Sequence, residues 1–326
     1  MAAILLPIMV RADDKSMQNG TELIRHWEAQ PGLFGNAPIR LKATFELSEM
    51  RSGKAAGTLE AIFVGPEQWR VALDFPGYQE VLVRNGGDKV WRKRSYAAEP
   101  IRVTQLKEIL RLPKVLQVAQ ASANIDRVRE RKYQGQKLTC VRRSTGSKDN
   151  RTKGQEELCF DAEGRLKLRD RELPHEQYEY SDYREINGLQ VPTSFRAVVE
   201  GKEVVRAVIT DLGTYPGSAP TPFATDASYE VRTWCEQAIP PKPEYTPDPA
   251  YPDMARRGGL QATVTVMGEV RTDGSLHDLV VLQTADQSLN DATLRTLAQW
   301  RFRPATCKGA PIPFELKVEM NFRLGY

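Results

Sequence analysis

The sequence predicts an α+β chain of two domains: a curled antiparallel β-sheet forming a half-barrel with plugging helices, then a small α+β domain on a three-stranded antiparallel sheet. Three observations predict it. From Ile39 to Asp211, short runs of alternating polarity recur at regular spacing with turn residues between them, which is the texture of a meander. Proline then crowds the stretch from Gly213 to Asp248. Near the end, Phe314, Leu316, Val318, Met320, Phe322 and Leu324 alternate strictly with Glu315, Lys317, Glu319, Asn321 and Arg323, so this strand has one dry and one wet face.

The chain opens on an apolar run, Ala2 to Val10, followed by Arg11-Ala12-Asp13-Asp14. Val10 and Ala12 suit the small-residue positions ahead of a signal-peptidase cut, although the basic front of a signal peptide is missing. Residues 1–12 therefore read as a signal-peptide-like segment, with a buried first strand as the competing reading. Export to the periplasm follows, as a soluble or membrane-associated protein, because no later segment approaches the ~20 apolar residues that span a bilayer.

Residues 20–212 are expected to form the first domain. A helical patch, Leu23-Ile24 and Trp27, precedes strands that start with the alternation of Ala43, Phe45 and Leu47 and continue over 57–64, 69–75, 80–83 and 90–92. Pro76-Gly77 and Asn85-Gly86-Gly87 are among the turns between them. Thr104 to Leu112 is a helix with Leu106, Ile109 and Leu110 on one side, and Val115 to Ala121 is expected as a second. Strands resume over 125–130, 136–142, 156–161, 166–169, 178–184, 191–199 and 203–211. A sheet this long must curl to hide its apolar face, and the two helices are its plug. Residues 213–248 form a proline-stiffened linker.

Residues 249–326 make the second domain. A short helix over Asp253–Arg257 stops at Gly258-Gly259. A strand carrying Val264, Val266 and Val270 turns at Asp273-Gly274 into Leu276–Leu282. Ser288-Leu289-Asn290-Asp291 has the form of a helix cap, with Leu294, Leu297 and Ala298 on one face of the helix that follows. Pro304 ends that passage ahead of the long terminal strand.

The four cysteines, Cys140, Cys159, Cys235 and Cys307, fit export. Three pairings exist; 140–159 with 235–307 keeps each bridge within one unit, and four free buried thiols is the alternative. No metal is expected, since there is no CxxC and His26, His175 and His277 are scattered. A formal charge of +4 without a Lys/Arg block argues against nucleic acid. No GxSxG elbow, phosphate-cradling glycine loop or HExxH pair is present, so the expectation is a non-enzymatic protein with no cofactor. His175-Glu176 reads as a solvated pair in a polar turn.

The second domain resembles the TonB C-terminal domain family in Tyr251-Pro252, Ala255-Arg256, the Asp273-Gly274 turn, Asp291, Trp300-Arg301-Phe302-Arg303-Pro304 and the alternating final strand. It departs at Ala262, where many members carry glycine, and at Asp248, where a polar amide is common. The resemblance implies recognition of an extended peptide by strand addition to an exposed sheet edge. It places that edge at Asp248, Tyr251, Pro252, Glu315, Lys317, Glu319, Asn321 and Arg323. The implied partner is a segment of an outer-membrane receptor or other envelope protein, in a transport-related role, with homodimerisation through the same strand as another use of the edge. The first domain is similar to the periplasmic lipoprotein-carrier fold of LolA and LolB, on its strand pattern and on Tyr180–Arg184 and Ile186–Pro192. That similarity implies a lipid or lipoprotein carrier as the alternative function, with the C-terminal domain as an adaptor.

Overall fold

A computed structural model of the chain describes residues 12–29, 38–50, 53–95, 98–112, 116–118, 124–145, 154–171, 175–199, 201–216, 222–283 and 286–324. The signal-like segment lies outside them except for Ala12. Helix α1 (Ala12–Ala29) leads into β1 (Ile39–Met50), β2 (Gly53–Gly65), β3 (Gln68–Phe75), β4 (Tyr78–Asn85) and β5 (Lys89–Arg94). Next come α2 (Ile101–Ile109), β6 (Leu116–Val118), β7 (Asn124–Tyr133), β8 (Gln136–Thr145), β9 (Gly154–Phe160) and β10 (Leu166–Arg171). Then follow β11 (Glu176–Ile186), β12 (Leu189–Val199), β13 (Lys202–Thr214), β14 (Glu230–Thr233), β15 (Cys235–Ala238) and β16 (Lys242–Tyr245). The chain ends through α3 (Asp253–Arg257), β17 (Ala262–Val270), β18 (Leu276–Gln283), α4 (Gln287–Leu297), β19 (Arg301–Arg303), β20 (Ala305–Cys307), β21 (Ala310–Ile312) and β22 (Phe314–Phe322).

Both helices of the expected plug differ from expectation. Helix α2 starts at Ile101, because Pro100 is tolerated ahead of a first turn and its carbonyl accepts from the amides of Val103 and Thr104 at 2.9 and 3.1 Å. The second expected helix is absent where the chain is described: Leu116–Val118 is the strand β6, running parallel to β15 with Leu116 opposite Cys235. Pairing with a distant strand overrides its local preference.

The chain divides into two compact units, one of residues 1–66, 105–112 and 120–219, the other of 67–104, 113–119 and 220–326. In the first unit the strands follow the order β2-β1-β13-β12-β11-β10-β9-β8-β7, antiparallel throughout, and among the described residues β7 ends the sheet without closing it. Register shifts at Lys42/Ala43, Leu166/Leu168 and Ala197/Val198 are the irregularities that bend such a sheet. Cys140 and Cys159 face each other across β8 and β9 and are bridged, with Cα atoms 3.9 Å apart. Helix α1 lies close on β7 and β8; a Cβ on Gly20 would sit 2.5 Å from Val128 Cγ2.

The plug is pinned by charge as well as by Leu106, Ile109 and Leu110, which are buried. Glu108 of α2 pairs with Arg169 at 3.3 Å and Arg171 at 3.2 Å, and the Gln105 amide donates to Glu176 at 2.9 Å. Glu176 is thus buried and bonded rather than solvated, accepting also from the Tyr178 hydroxyl at 3.0 Å; His175 beside it is exposed. Glu156 sits between Arg143 at 2.8 Å and Arg169.

Burial works to raise the Glu156 carboxyl, but Arg169 and Arg143 override it and hold the group below its ordinary value. A depressed acid stabilises the fold above its unfolded value of about 4.3 and loses that contribution as pH falls through the folded value. Asp170 works the other way, its carboxyl raised by burial despite Arg131. Thermal midpoints measured from about pH 6 down to about pH 3 should fall, and Glu156→Gln should flatten the fall.

In the second unit β14-β5-β4-β3 form one antiparallel stretch, and β18-β17-β22 form the three-stranded sheet. Within the proline-rich segment 213–248 the described residues include three paired strands: β14 with β5, β15 with β6, and β16 with β19. Cys235 and Cys307 bridge β15 to β20, with Cα atoms 5.9 Å apart, so both disulfides join the expected partners.

Candidate functional site: the outer edge of the C-terminal sheet

The sheet is fixed in register by its dry face. Val264, Val266 and Val270 of β17 lie opposite Met320, Val318 and Phe314 of β22, and most of this face packs with Leu289, Ala292 and Leu297 of α4 in one core. Helix α3 is closed as its glycines predict: Leu260 N–H returns to the Ala255 carbonyl at 3.0 Å and Gly259 N–H to Arg256 at 3.1 Å, with Gly259 at φ 65°. Helix α4 begins earlier than its sequence signal. Its cap is Asp286, whose carboxylate accepts from the Ser288 amide at 2.8 Å; the Ser288 hydroxyl donates to the same carboxylate. Either residue has a side-chain oxygen able to cap, and the backbone is extended at Asp286, φ −161°. Asp286→Ala should cost about 1 kcal/mol in denaturant unfolding. Ser288→Ala should cost less.

β22 is the end strand of its sheet. Pairing with β17 over Ala262↔Phe322 to Val270↔Phe314 uses one side of its backbone, and among the described residues no strand pairs with the other. The residues expected along this edge fall into three groups. Tyr251 and Pro252 lie at the start of α3; the Tyr251 ring packs edge-on against Phe322 at 5.4 Å, its hydroxyl donates to the Leu260 carbonyl, and Arg256 covers it at 5.6 Å. Asp248 is exposed nearby in sequence. Lys317, Glu319, Asn321 and Arg323 are exposed and stand on the wet face rather than on the rim; Lys317 and Glu319 pair at 2.9 Å, and Asn321 accepts from the Thr263 hydroxyl at 2.6 Å.

Glu315 is different. It receives Arg92 at 2.7 Å, Arg94 at 3.1 Å and Arg232 at 3.9 Å, from β5 and β14. It also faces Glu269 directly across the ladder, and Arg232 pairs with that carboxylate at 2.6 Å. Like charges opposite one another destabilise a sheet, and here arginines brought in from outside it neutralise them. Burial works to raise the Glu315 carboxyl, and the charges of Arg92 and Arg94 outweigh it, leaving the group below the usual carboxylate range. Nothing in the sequence marks these arginines, which lie 223 and 221 residues from Glu315 along the chain.

The unpaired side of β22 leaves main-chain donors and acceptors of the kind an added strand uses. Residues 247–324 match the family model for the Gram-negative bacterial TonB protein C-terminal. The chain is 33% identical over 69 residues to the protein TonB of Pseudomonas aeruginosa, a span covering 21% of this chain and 20% of that protein. Against the protein TonB of Vibrio cholerae it is 27% identical over 79 residues, 23% of this chain and 32% of that protein. The chain therefore spans between a fifth and a third of the length of these relatives. Among solved structures, a putative outer membrane lipoprotein-sorting protein domain from Vibrio parahaemolyticus aligns with TM-score 0.40 and 12% identity, covering 62% of this chain and 94% of that one. A LolA superfamily protein from Nitrosomonas europaea aligns with TM-score 0.35 and 11% identity, over 63% and 97%.

Proposed function

We propose that this is an exported, non-enzymatic envelope protein whose C-terminal domain, residues 249–326, docks an extended segment of an outer-membrane partner by adding it as a strand to β22, in a transport-related role. The supporting observation is the position of β22 at the end of its sheet, with nine residues of rim free of any strand partner among the described residues. The rim supplies main-chain donors and acceptors, while Tyr251 and Pro252 shape the floor beside it. Residues 1–12 would direct export, 20–212 would be the carrier-like domain and 213–248 the connecting stretch. Titration of peptides copied from the periplasm-facing N-terminal segments of outer-membrane receptors should shift the backbone amide signals of residues 318–324. Shifts confined to other parts of the chain would reject the reading. Concentration-dependent dimerisation that moves the same signals without peptide would instead assign the rim to a second copy.

One observation favours a second reading, a lipid or lipoprotein carrier. The first unit holds a cavity of about 210 Å³ lined in part by Ile109, Leu110, Tyr180, Val191 and Phe195. The Tyr180 hydroxyl is buried there without a hydrogen-bond partner among the described residues, which suits an apolar guest carrying one acceptor group. Lipid carried through purification and detected by native mass spectrometry, and lost in Tyr180→Trp, would support this reading; a protein free of lipid when isolated from its own envelope would not.

A further inference from the structure

Resting on the strand-addition reading, we propose that the contact of Glu315 with Arg92, Arg94 and Arg232 is a latch. It closes the first half of the β22 rim, Phe314–Lys317, to a guest strand and leaves Val318–Leu324 open. The geometry comes from the order of the strands that bring the arginines. Arg232 of β14 reaches Glu269 on β17 at 2.6 Å, and its next neighbour β5 reaches Glu315 on β22 through Arg92 and Arg94 at 2.7 and 3.1 Å. β4 follows β5 in the same order. By the same order β4 would continue over the space beyond the rim, where a guest strand would lie.

The hydroxyl of Tyr78, the first residue of β4, is buried. It is held well above its ordinary value by burial, by Glu80 and Glu99, and in smaller measure by Glu315 itself. Phe314 is tied down independently, packed against Cys235, Ala238, Ala305 and Ile312 beside the Cys235–Cys307 bridge. Past Lys317 the ties change in kind. Lys317 pairs with Glu319 and Asn321 with Thr263, both within the C-terminal sheet. The rim accordingly has a held half and an open half, and the divide falls where the arginine contacts end.

The latch is tested without any guest, by hydrogen exchange of the β22 amides in the full chain. The amides of 314–317 that point away from β17 should exchange at least about ten-fold more slowly than their counterparts in 318–324. Glu315→Gln, which removes the charge but keeps the shape, should erase that difference while β17 amides stay as slow as before. Should Glu315→Gln also speed β17, Glu315→Asp keeps the charge and withdraws it by one methylene, and the same comparison applies. Equal exchange along the whole rim of the unaltered protein, or a difference that survives both substitutions, overturns the latch. Because exchange needs no peptide, its outcome is separate from that of the titration: a rim with a held half that binds no receptor peptide sinks docking alone, and a uniform rim that binds along all of 314–324 sinks the latch alone.

Discussion

Gly274→Ala is expected to lower the unfolding free energy of the second unit by about 4 kcal/mol, enough to place it among the severe single substitutions. Two independent causes add. Gly274 holds φ 82°, in the left-handed region that costs a residue with a Cβ about 1 to 2 kcal/mol. The larger cause is steric. A Cβ at this position would lie 1.9 Å from the Phe302 carbonyl oxygen and 3.1 Å from its carbon, which are backbone atoms and cannot swing aside. Phe302 also donates its amide to the Gly274 carbonyl at 2.9 Å, and its ring is buried in the core shared with α4. Displacing that segment therefore loosens the hairpin turn, β19 and the core together. Gly309→Ala is the control: φ is 86° there, but nothing lies within 4 Å of the added methyl. It should cost about 1 kcal/mol, the torsional share alone. Chemical denaturation of both variants separates the two causes, and equal losses would show that the contact with Phe302 relaxes freely.

These two glycines illustrate how far local sequence carries. Asp273-Gly274 is visible as a turn because the residue types satisfy a backbone requirement within four positions, and the structure has the turn, with Asp273 accepting from the Ser275 amide at 2.9 Å. Almost all the strands from β1 to β13, and the β17–β18–β22 sheet, were legible for the same reason: alternation has a period of two and needs no distant partner to be seen. The Cys140–Cys159 bridge was legible from two neighbouring strand-like runs, and Cys235–Cys307 only as the pairing that keeps the second bridge within one unit. What was not legible depends on contacts far apart in sequence. Leu116–Val118 becomes a strand because Cys235–Ala238 arrives beside it. Glu176 looks like one end of a polar turn until Gln105 reaches it from α2, joining the Tyr178 hydroxyl two residues along β11. Glu315 reads as one more charge on a wet face, and its alternation with Phe314 and Leu316 is correct, but three arginines from β5 and β14 turn it into an internal anchor. Lys317, Glu319, Asn321 and Arg323 are exposed as parity alone predicts, so for their exposure the local pattern sufficed.

Arg92→Ala is expected to cost about 3 kcal/mol, whereas Lys42→Ala should cost about 0.5 kcal/mol or less, although both remove one partner of an ion pair 2.7 Å long. The difference lies in solvent. Lys42 and Glu60 are each half exposed, so water replaces whatever is lost. The Arg92 side chain is 7% exposed and bridges two acids, donating to Glu230 at 2.8 and 3.1 Å and to Glu315 at 2.7 Å. Its removal leaves three carboxylates, Glu230, Glu269 and Glu315, to Arg94 and Arg232, one positive charge short. Glu230 is half exposed and rehydrates, which keeps the expected loss at the lower end for buried pairs. A double-mutant cycle decides whether the acid is the cause. If the stranded Glu315 charge makes up most of the loss, Arg92→Ala combined with Glu315→Ala is less destabilising than the two single losses added, by about 1 kcal/mol or more. Strict additivity would mean that Arg92 stabilises through the packing of its methylenes against β5 and β14, and the carboxylate pair across β17 and β22 would then need no outside cation to stand.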